Sequence, residues 1–278
     1  MLHRTLTCAL GLSILGAGCA TTTGDDAPVA AEAAGARPPG YGQGIEARAA
    51  NLPEPVRARL PEAREIAAST IIVDTHIDVP YRVENGYVDV TEATEGGDFD
   101  WPRAVAGGLD APFMSIYIPA SVDAADEGDE LALRLIDHVE AIVERAPDKF
   151  ALARSPDEVV ANWHAGLISL PMGMENCGPM RDLGAPARWA ARGIRYCSLA
   201  HSRSNALSDS SYDINEQWQG LSPLGADMIG ALNAAGIATD ENGFVLTDAR
   251  GRTEQEHVFA IGDVAGEPML AHTAMAEG

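Results

Sequence analysis

The strongest constraint on the fold is a regular alternation, between residues 70 and 236, of short apolar runs with amphipathic segments. The runs at 70–75, 113–118, 150–153, 167–172 and 194–199 are short and rich in aliphatic residues, as buried strands are. Between them, residues 129–145 place Leu131, Leu135, Val139, Ile142 and Val143 on one helical face. A further helical stretch is read over 61–69. Ser155-Pro156-Asp157-Glu158 and Ser222-Pro223 each set a capping Ser before a Pro at the first helical position. Gly193 and Gly236 stop the helical stretches 183–192 and 222–234. A helix between successive strands returns the chain to the same sheet edge, so the expected class is α/β with a parallel sheet. Four or five such units fit the span, whereas a closed eight-stranded barrel takes roughly 250 residues.

Composition narrows the function. Of the 278 residues, 46% are hydrophobic, enough for a packed core. The net charge of −22, from 41 acidic against 19 basic residues, excludes nucleic acid and anionic membrane surfaces as partners. Cys8, Cys19, Cys177 and Cys197 form no CxxC pair, and Cys177 and Cys197 are expected as buried free thiols, with a bridge between them as the alternative.

The N-terminus reads as a targeting segment. Arg4 precedes an apolar run over residues 6–15, then Gly16, Ala17, Gly18 and Cys19. The run is too short to span a bilayer. Cys19 after small residues resembles a bacterial lipoprotein site, where the cysteine is lipidated. An exported protein is expected, periplasmic or anchored to a membrane through that lipid alone. Residues 20–44 are rich in Ala, Gly, Thr and Pro and read as a flexible tether.

Four residues carry candidate chemistry. His76 and Asp78, two apart at the end of the first strand, project to one side and can chelate a divalent metal. Glu175 and His201 follow the runs 167–172 and 194–199. All four thus fall at the C-terminal ends of parallel strands, where β/α folds build their sites.

Ile72-Val73-Asp74-Thr75-His76-Ile77-Asp78-Val79-Pro80 resembles the opening metal motif of the membrane (renal-type) zinc dipeptidases. Asp100-Trp101-Pro102-Arg103 and Phe113-Met114-Ser115-Ile116-Tyr117-Ile118-Pro119 resemble that family's second unit. Met174-Glu175-Asn176, then Gly193-Ile194-Arg195-Tyr196 with Leu199-Ala200-His201-Ser202, resemble its later strands. The resemblance implies a (β/α)8 TIM-type barrel with two zinc ions. His76 and Asp78 would hold one ion, Glu175 would bridge both as the central catalytic carboxylate, and His201 would contact a dipeptide substrate cleaved by metal-activated water.

The pattern then changes. After Ile237 the sequence runs Ala238-Thr239-Asp240-Glu241-Asn242-Gly243, without the next metal-ligand histidine of that family. Asn242-Gly243 reads as a hairpin turn. His257-Val258-Phe259-Ala260-Ile261-Gly262-Asp263, followed by a helix opening at Pro268, resembles the FAD-binding C-terminal portion of the dihydrolipoamide dehydrogenases. That resemblance implies a ribityl contact for Asp263. No strand–GxGxxG–helix unit accompanies it, so FAD is not expected to bind.

The expected organisation is a signal segment over 1–19, a tether over 20–44, a truncated barrel over 45–236 and a foreign hairpin, strand and helix over 238–278. At most one zinc is expected, with dipeptidase activity impaired by truncation and self-association through open sheet edges. The alternatives are a flavin-dependent oxidoreductase and an inactive fusion remnant.

Overall fold

The computed structural model describes residues 52–237 together with Pro38. Cys19, Asp263, the signal segment and the tail fragment lie outside the described residues, as does the tether apart from Pro38. In chain order the elements are α1 (Glu54–Arg57), α2 (Leu60–Ser69), β1 (Val73–Ile77), α3 (Val79–Asn85), α4 (Trp101–Gly107) and β2 (Ala111–Tyr117). They continue with α5 (Ala120–Ala124), α6 (Gly128–Arg145), β3 (Phe150–Leu152), α7 (Pro156–His164) and β4 (Ile168–Leu170). The last are β5 (Met172–Glu175), α8 (Ala185–Ala191), β6 (Ile194–Ser198) and α9 (Pro223–Ala234).

The helices form where the sequence supplies both a face and an end. In α6, Leu131, Leu135, Ile136, Val139 and Ile142 are all buried, with Asp129 and Glu130 in the first turn and Arg145 in the last, a polarity matched to the helix dipole. Ser155 caps α7 by accepting from Glu158 N, and the Glu158 carboxylate reaches back to accept from Arg154 N at 2.6 Å. Ser222 caps α9 by accepting from Gly225 N at 2.9 Å. A Cβ on Gly225 would overlap the Leu207 carbonyl, so only glycine lets this helix start so close to the preceding loop.

β1, β2, β5 and β6 form one parallel sheet in that order, and β3 pairs with β4 in a second, also parallel. The α/β class and the parallel sheet therefore hold. The expected single strand over 167–172 does not. Pro171, which has no N–H to donate, divides it into β4, which joins β3, and β5, which lies between β2 and β6. Glu175 is consequently the last residue of a strand, not a residue beyond one. The first strand also lies further along than 70–75, at Val73–Ile77.

The pleat sorts the residues. Met114 pairs in register with Met172, Ile116 with Met174, and Met174 with Cys197, and this set is buried in the apolar core that also contains Leu135, Ile136 and Val139 of α6. Ser115 pairs with Gly173, Tyr117 with Glu175, Gly173 with Tyr196 and Glu175 with Ser198, which makes the opposite face polar and aromatic.

The structure corrects the expectation for the thiols. Cys177 and Cys197 are buried, as expected, but joined in a disulfide, with Cα atoms 6.1 Å apart. The parallel register sets Met174 beside Cys197, so the turn after β5 carries Cys177 back within bridging distance.

Candidate metal centre

Two strand ends and one loop build the site. His76 lies within β1, and Asp78 follows it at the N-cap position of α3. The Asp78 carboxylate makes no capping bond there, which leaves it free to face the site. Glu175 ends β5, and buried Asn176 with φ of 67° turns the chain away behind it. Asn176 holds that turn by donating to the Ile118 carbonyl and accepting from Gly178 N and Asn205 Nδ2. His201 follows β6, ahead of a tight turn at Ser202 with φ of 57°.

These four side chains meet. His76 Nε2 lies 3.2 Å from Glu175 Oε2 and 3.5 Å from Asp78 Oδ1. The other Glu175 oxygen, Oε1, lies 3.2 Å from His201 Nε2, so one carboxylate spans two imidazoles. Ser115 Oγ donates to Glu175 Oε2 at 3.3 Å. The His201 ring stands edge-on to Tyr117, centroids 5.0 Å apart, and its Nδ1 is buried without a hydrogen-bond partner.

The electrostatics follow from crowding. Burial disfavours a charged His76 ring, yet the hydrogen bonds and negative charge of Asp78 and Glu175 outweigh it and push its pKa up to about 10. The same His76 contact holds the Asp78 carboxyl below its ordinary value. Burial raises Asp74, and burial with the nearby Glu175 raises Tyr117. Two carboxylates directed at one imidazole nitrogen make a locus that favours a cation.

The donor set fits a divalent metal. One ligand atom each from His76, Asp78 and Glu175 lies within 4.8 Å of the others, a nitrogen and two oxygens of the type that zinc and related ions accept. All four residues expected from the sequence are therefore brought together, with His201 beside the three-residue cluster and outside it. Ser115, Tyr117 and Tyr196 join them unforeseen. The register parity with Glu175 was the available signal for Ser115 and Tyr117. A cleft of about 750 Å³ opens alongside, lined by Asn176, Asn205, Arg181, Arg203, Asp123 and Asp213.

Residues 60–243 match the membrane dipeptidase family, Peptidase family M19. The chain belongs to that family. Dipeptidase verJ of Clonostachys rogersoniana is 26% identical over 217 residues, covering 73% of this chain and 54% of that protein. Among solved structures, the probable dipeptidase PvdM from Pseudomonas aeruginosa superposes with a TM-score of 0.59 at 25% identity, over 66% of this chain and 49% of that one. A metallo peptidase from Rhodobacter sphaeroides, liganded with a phosphinate mimic of the dipeptide L-Ala-D-Ala, shares the fold with a TM-score of 0.54 at 23% identity, over 63% and 59% of the two chains. The chain spans about half or less of the length of the curated dipeptidases it matches. Residues 224–278 match a second family, the pyridine nucleotide-disulphide oxidoreductases. Dihydrolipoyl dehydrogenase 2 of Haloarcula marismortui is 65% identical there over 48 residues, which is 17% of this chain and 10% of that protein.

Proposed function

We propose that this M19 dipeptidase-family chain is a zinc-dependent dipeptide hydrolase with an incomplete site, holding one ion and turning over slowly. The observation that carries the reading is the convergence of His76 Nε2, Asp78 Oδ1 and a Glu175 oxygen. When bound, zinc would supply Lewis-acid polarisation of a peptide carbonyl and a water of lowered pKa. The protein groups do the rest. His76 of β1 and Asp78 at the start of α3 would hold the ion, while Glu175 ties β5 to that corner and keeps His201 within 3.2 Å of its second oxygen. His201 orients the substrate carbonyl. The relative bound to a dipeptide mimic supports dipeptides as the substrate class.

In this reading residues 45–236 are a partial barrel, four parallel strands in chain order whose edges in the described residues are β1 and β6. The tail 238–278 is similar by sequence to part of another family and is not expected to complete a second metal site. Export with lipidation at Cys19 places the domain outside the cytoplasm. Among the described residues, no helix is long and apolar enough to cross a membrane. Metal analysis after dialysis against zinc is expected to find no more than one ion per chain, with dipeptide turnover barely above background. Two tightly held ions, or robust turnover, would falsify the incomplete-site reading.

The close match to dihydrolipoyl dehydrogenase favours one rival, a flavin protein using Asp263. The matched stretch is a tenth of that relative, and an FAD site needs a dinucleotide-binding unit for most of its contacts. The purified protein is expected to be colourless; a flavin absorbance band that survives gel filtration would establish the rival.

A further inference from the structure

β1 and β6 are the outer strands of the four-stranded sheet, with β2 and β5 between them. A flat sheet would hold their side chains about 14 Å apart, three strand spacings. Yet His76 Nδ1 of β1 lies 3.0 Å from the hydroxyl of Tyr196 on β6. Two features make this reach achievable. The sheet curls, as parallel sheets on the way to a barrel do. And the residue opposite Tyr196 on the intervening strand is Gly173, where a Cβ would overlap the phenol ring. The ring lies across that glycine and rests against Phe113, centroids 5.2 Å apart.

We infer that Tyr196 is a positioning residue for the metal centre: its hydroxyl holds His76 by Nδ1 and thereby commits Nε2 to Asp78 and Glu175, and Gly173 is the vacancy that admits it. The inference rests on the zinc reading proposed above, and extends it to two residues with no ligand atom of their own.

The chemistry requires such a partner. An imidazole has two nitrogens, and a metal takes the lone pair of one. The proton must then sit on the other, and a hydrogen-bond acceptor there fixes both the tautomer and the ring plane. Asp78 and Glu175 face Nε2, so neither can perform this task at Nδ1. The phenol oxygen can, and Nδ1–H donates to it. Without that acceptor the ring is free to turn about its Cβ–Cγ bond, and the geometry at Nε2 is lost for part of the time. Burial, reinforced by the charges of Glu175, Asp78 and Asp74, raises the Tyr196 pKa, so the group remains a neutral hydroxyl. The same carboxylates therefore gain a neutral partner for their histidine and no additional anion. Outer partners of this kind typically contribute about 10–100-fold in metal affinity.

The test compares full-length wild type with Tyr196→Phe, Gly173→Ala and His76→Ala. Zinc affinity is measured by calorimetry with zinc chloride, and the imidazole N–H protons by nitrogen-edited NMR of the metal-free protein. The Phe variant keeps the ring and its contact with Phe113, so its metal-free melting temperature should match wild type. It should bind zinc about 10–100-fold more weakly, and lose the protected Nδ1 proton signal that His76→Ala identifies. Gly173→Ala should show the same pair of losses, because its Cβ displaces the ring. Wild-type affinity together with a retained Nδ1 signal in Tyr196→Phe overturns the inference. If wild type itself binds no zinc, the metal reading fails, and the NMR signal alone decides Tyr196: its loss in the Phe variant upholds the hydrogen bond, and its persistence overturns it.

Discussion

Along β2, Met114 and Ile116 point to one face of the sheet and Phe113, Ser115 and Tyr117 to the other. The first pair is fully buried beneath α6, among Leu135, Ile136 and Val139. The second set looks into the concave side, where Ser115 donates to Glu175, Tyr117 meets the His201 ring and Phe113 supports Tyr196. One strand of seven residues therefore serves two environments. The helix-covered face contributes stability by excluding water, and its residues are interchangeable within limits of volume. The concave face gains little from burial. It gathers two carboxylates that favour a protonated His76 in the metal-free protein and would favour a bound cation in its place. Stability and ligand binding are thus expected to separate by residue parity, and three substitutions can break or sharpen that separation.

The largest effect is expected on the covered face. Ile116 is fully buried between β2 and α6, in register with Met174 of β5. Truncating it to Ala removes apolar contacts on both sides and leaves a cavity, at a cost of about 2–5 kcal/mol. For a domain of this size that corresponds to a fall of roughly 2–4 °C in melting temperature per kcal/mol. Zinc affinity of the folded fraction should be unchanged. A loss of zinc affinity at low temperature, where Ile116→Ala is still folded, would mean that the two faces are mechanically coupled.

An intermediate effect is expected at Glu175, with the opposite division. Glu175→Gln keeps the shape and removes the charge from the residue that faces both His76 and His201. Zinc binding should fall by more than the about 10–100-fold typical of outer partners, because a ligand is lost. The metal-free melting temperature at neutral pH should fall only modestly, because the Glu175 charge that helps raise the His76 pKa no longer stabilises the protonated ring, while Asp78 still faces it. A large fall in metal-free stability would show that Glu175 holds β5 against β1 irrespective of metal.

This division explains what could be read from the sequence. The covered face and the helix ends were legible because their signals are local: the apolar stripe of α6, Ser155 before Pro156, Ser222 before Pro223. His76 and Asp78 were legible as a short-range motif, and Glu175 and His201 by their place after apolar runs. Pro171 carries a local signal too, since a proline inside a central strand argues for a break. The remainder depends on register and curvature. Tyr196 stands 120 residues from His76 in sequence, and only the curl of the sheet over Gly173 unites them. The Cys177–Cys197 bond likewise follows from the alignment of β5 with β6, which no spacing rule encodes. Short motifs reveal which residues can do chemistry, whereas the sheet register decides which of them support it.

The smallest effect should come from Ser115, the sequence neighbour of Ile116 and its opposite in direction. Ser115 is fully buried, and its hydroxyl reaches Glu175 Oε2 at 3.3 Å and also contributes to holding Asp78 ionised. The Glu175 carboxylate does not depend on that proton alone, because it also faces His76 and His201. Ser115→Ala preserves the volume of the site to within one oxygen atom. It strands no donor, because the acceptors it leaves are carboxylates with other partners. The stability change should therefore stay near the about 0.5–1.5 kcal/mol of an ordinary hydrogen bond, well short of the Ile116 truncation one position away. Zinc affinity should drop by less than about tenfold, equivalent to 1.4 kcal/mol, through the slightly freer Glu175 carboxylate. Paired thermal melts and zinc titrations of Ser115→Ala and Ile116→Ala decide the matter. If Ser115→Ala destabilises the metal-free fold as much as Ile116→Ala does, the concave face is a structural core in its own right, and the assignment of stability to one face and binding to the other must be given up.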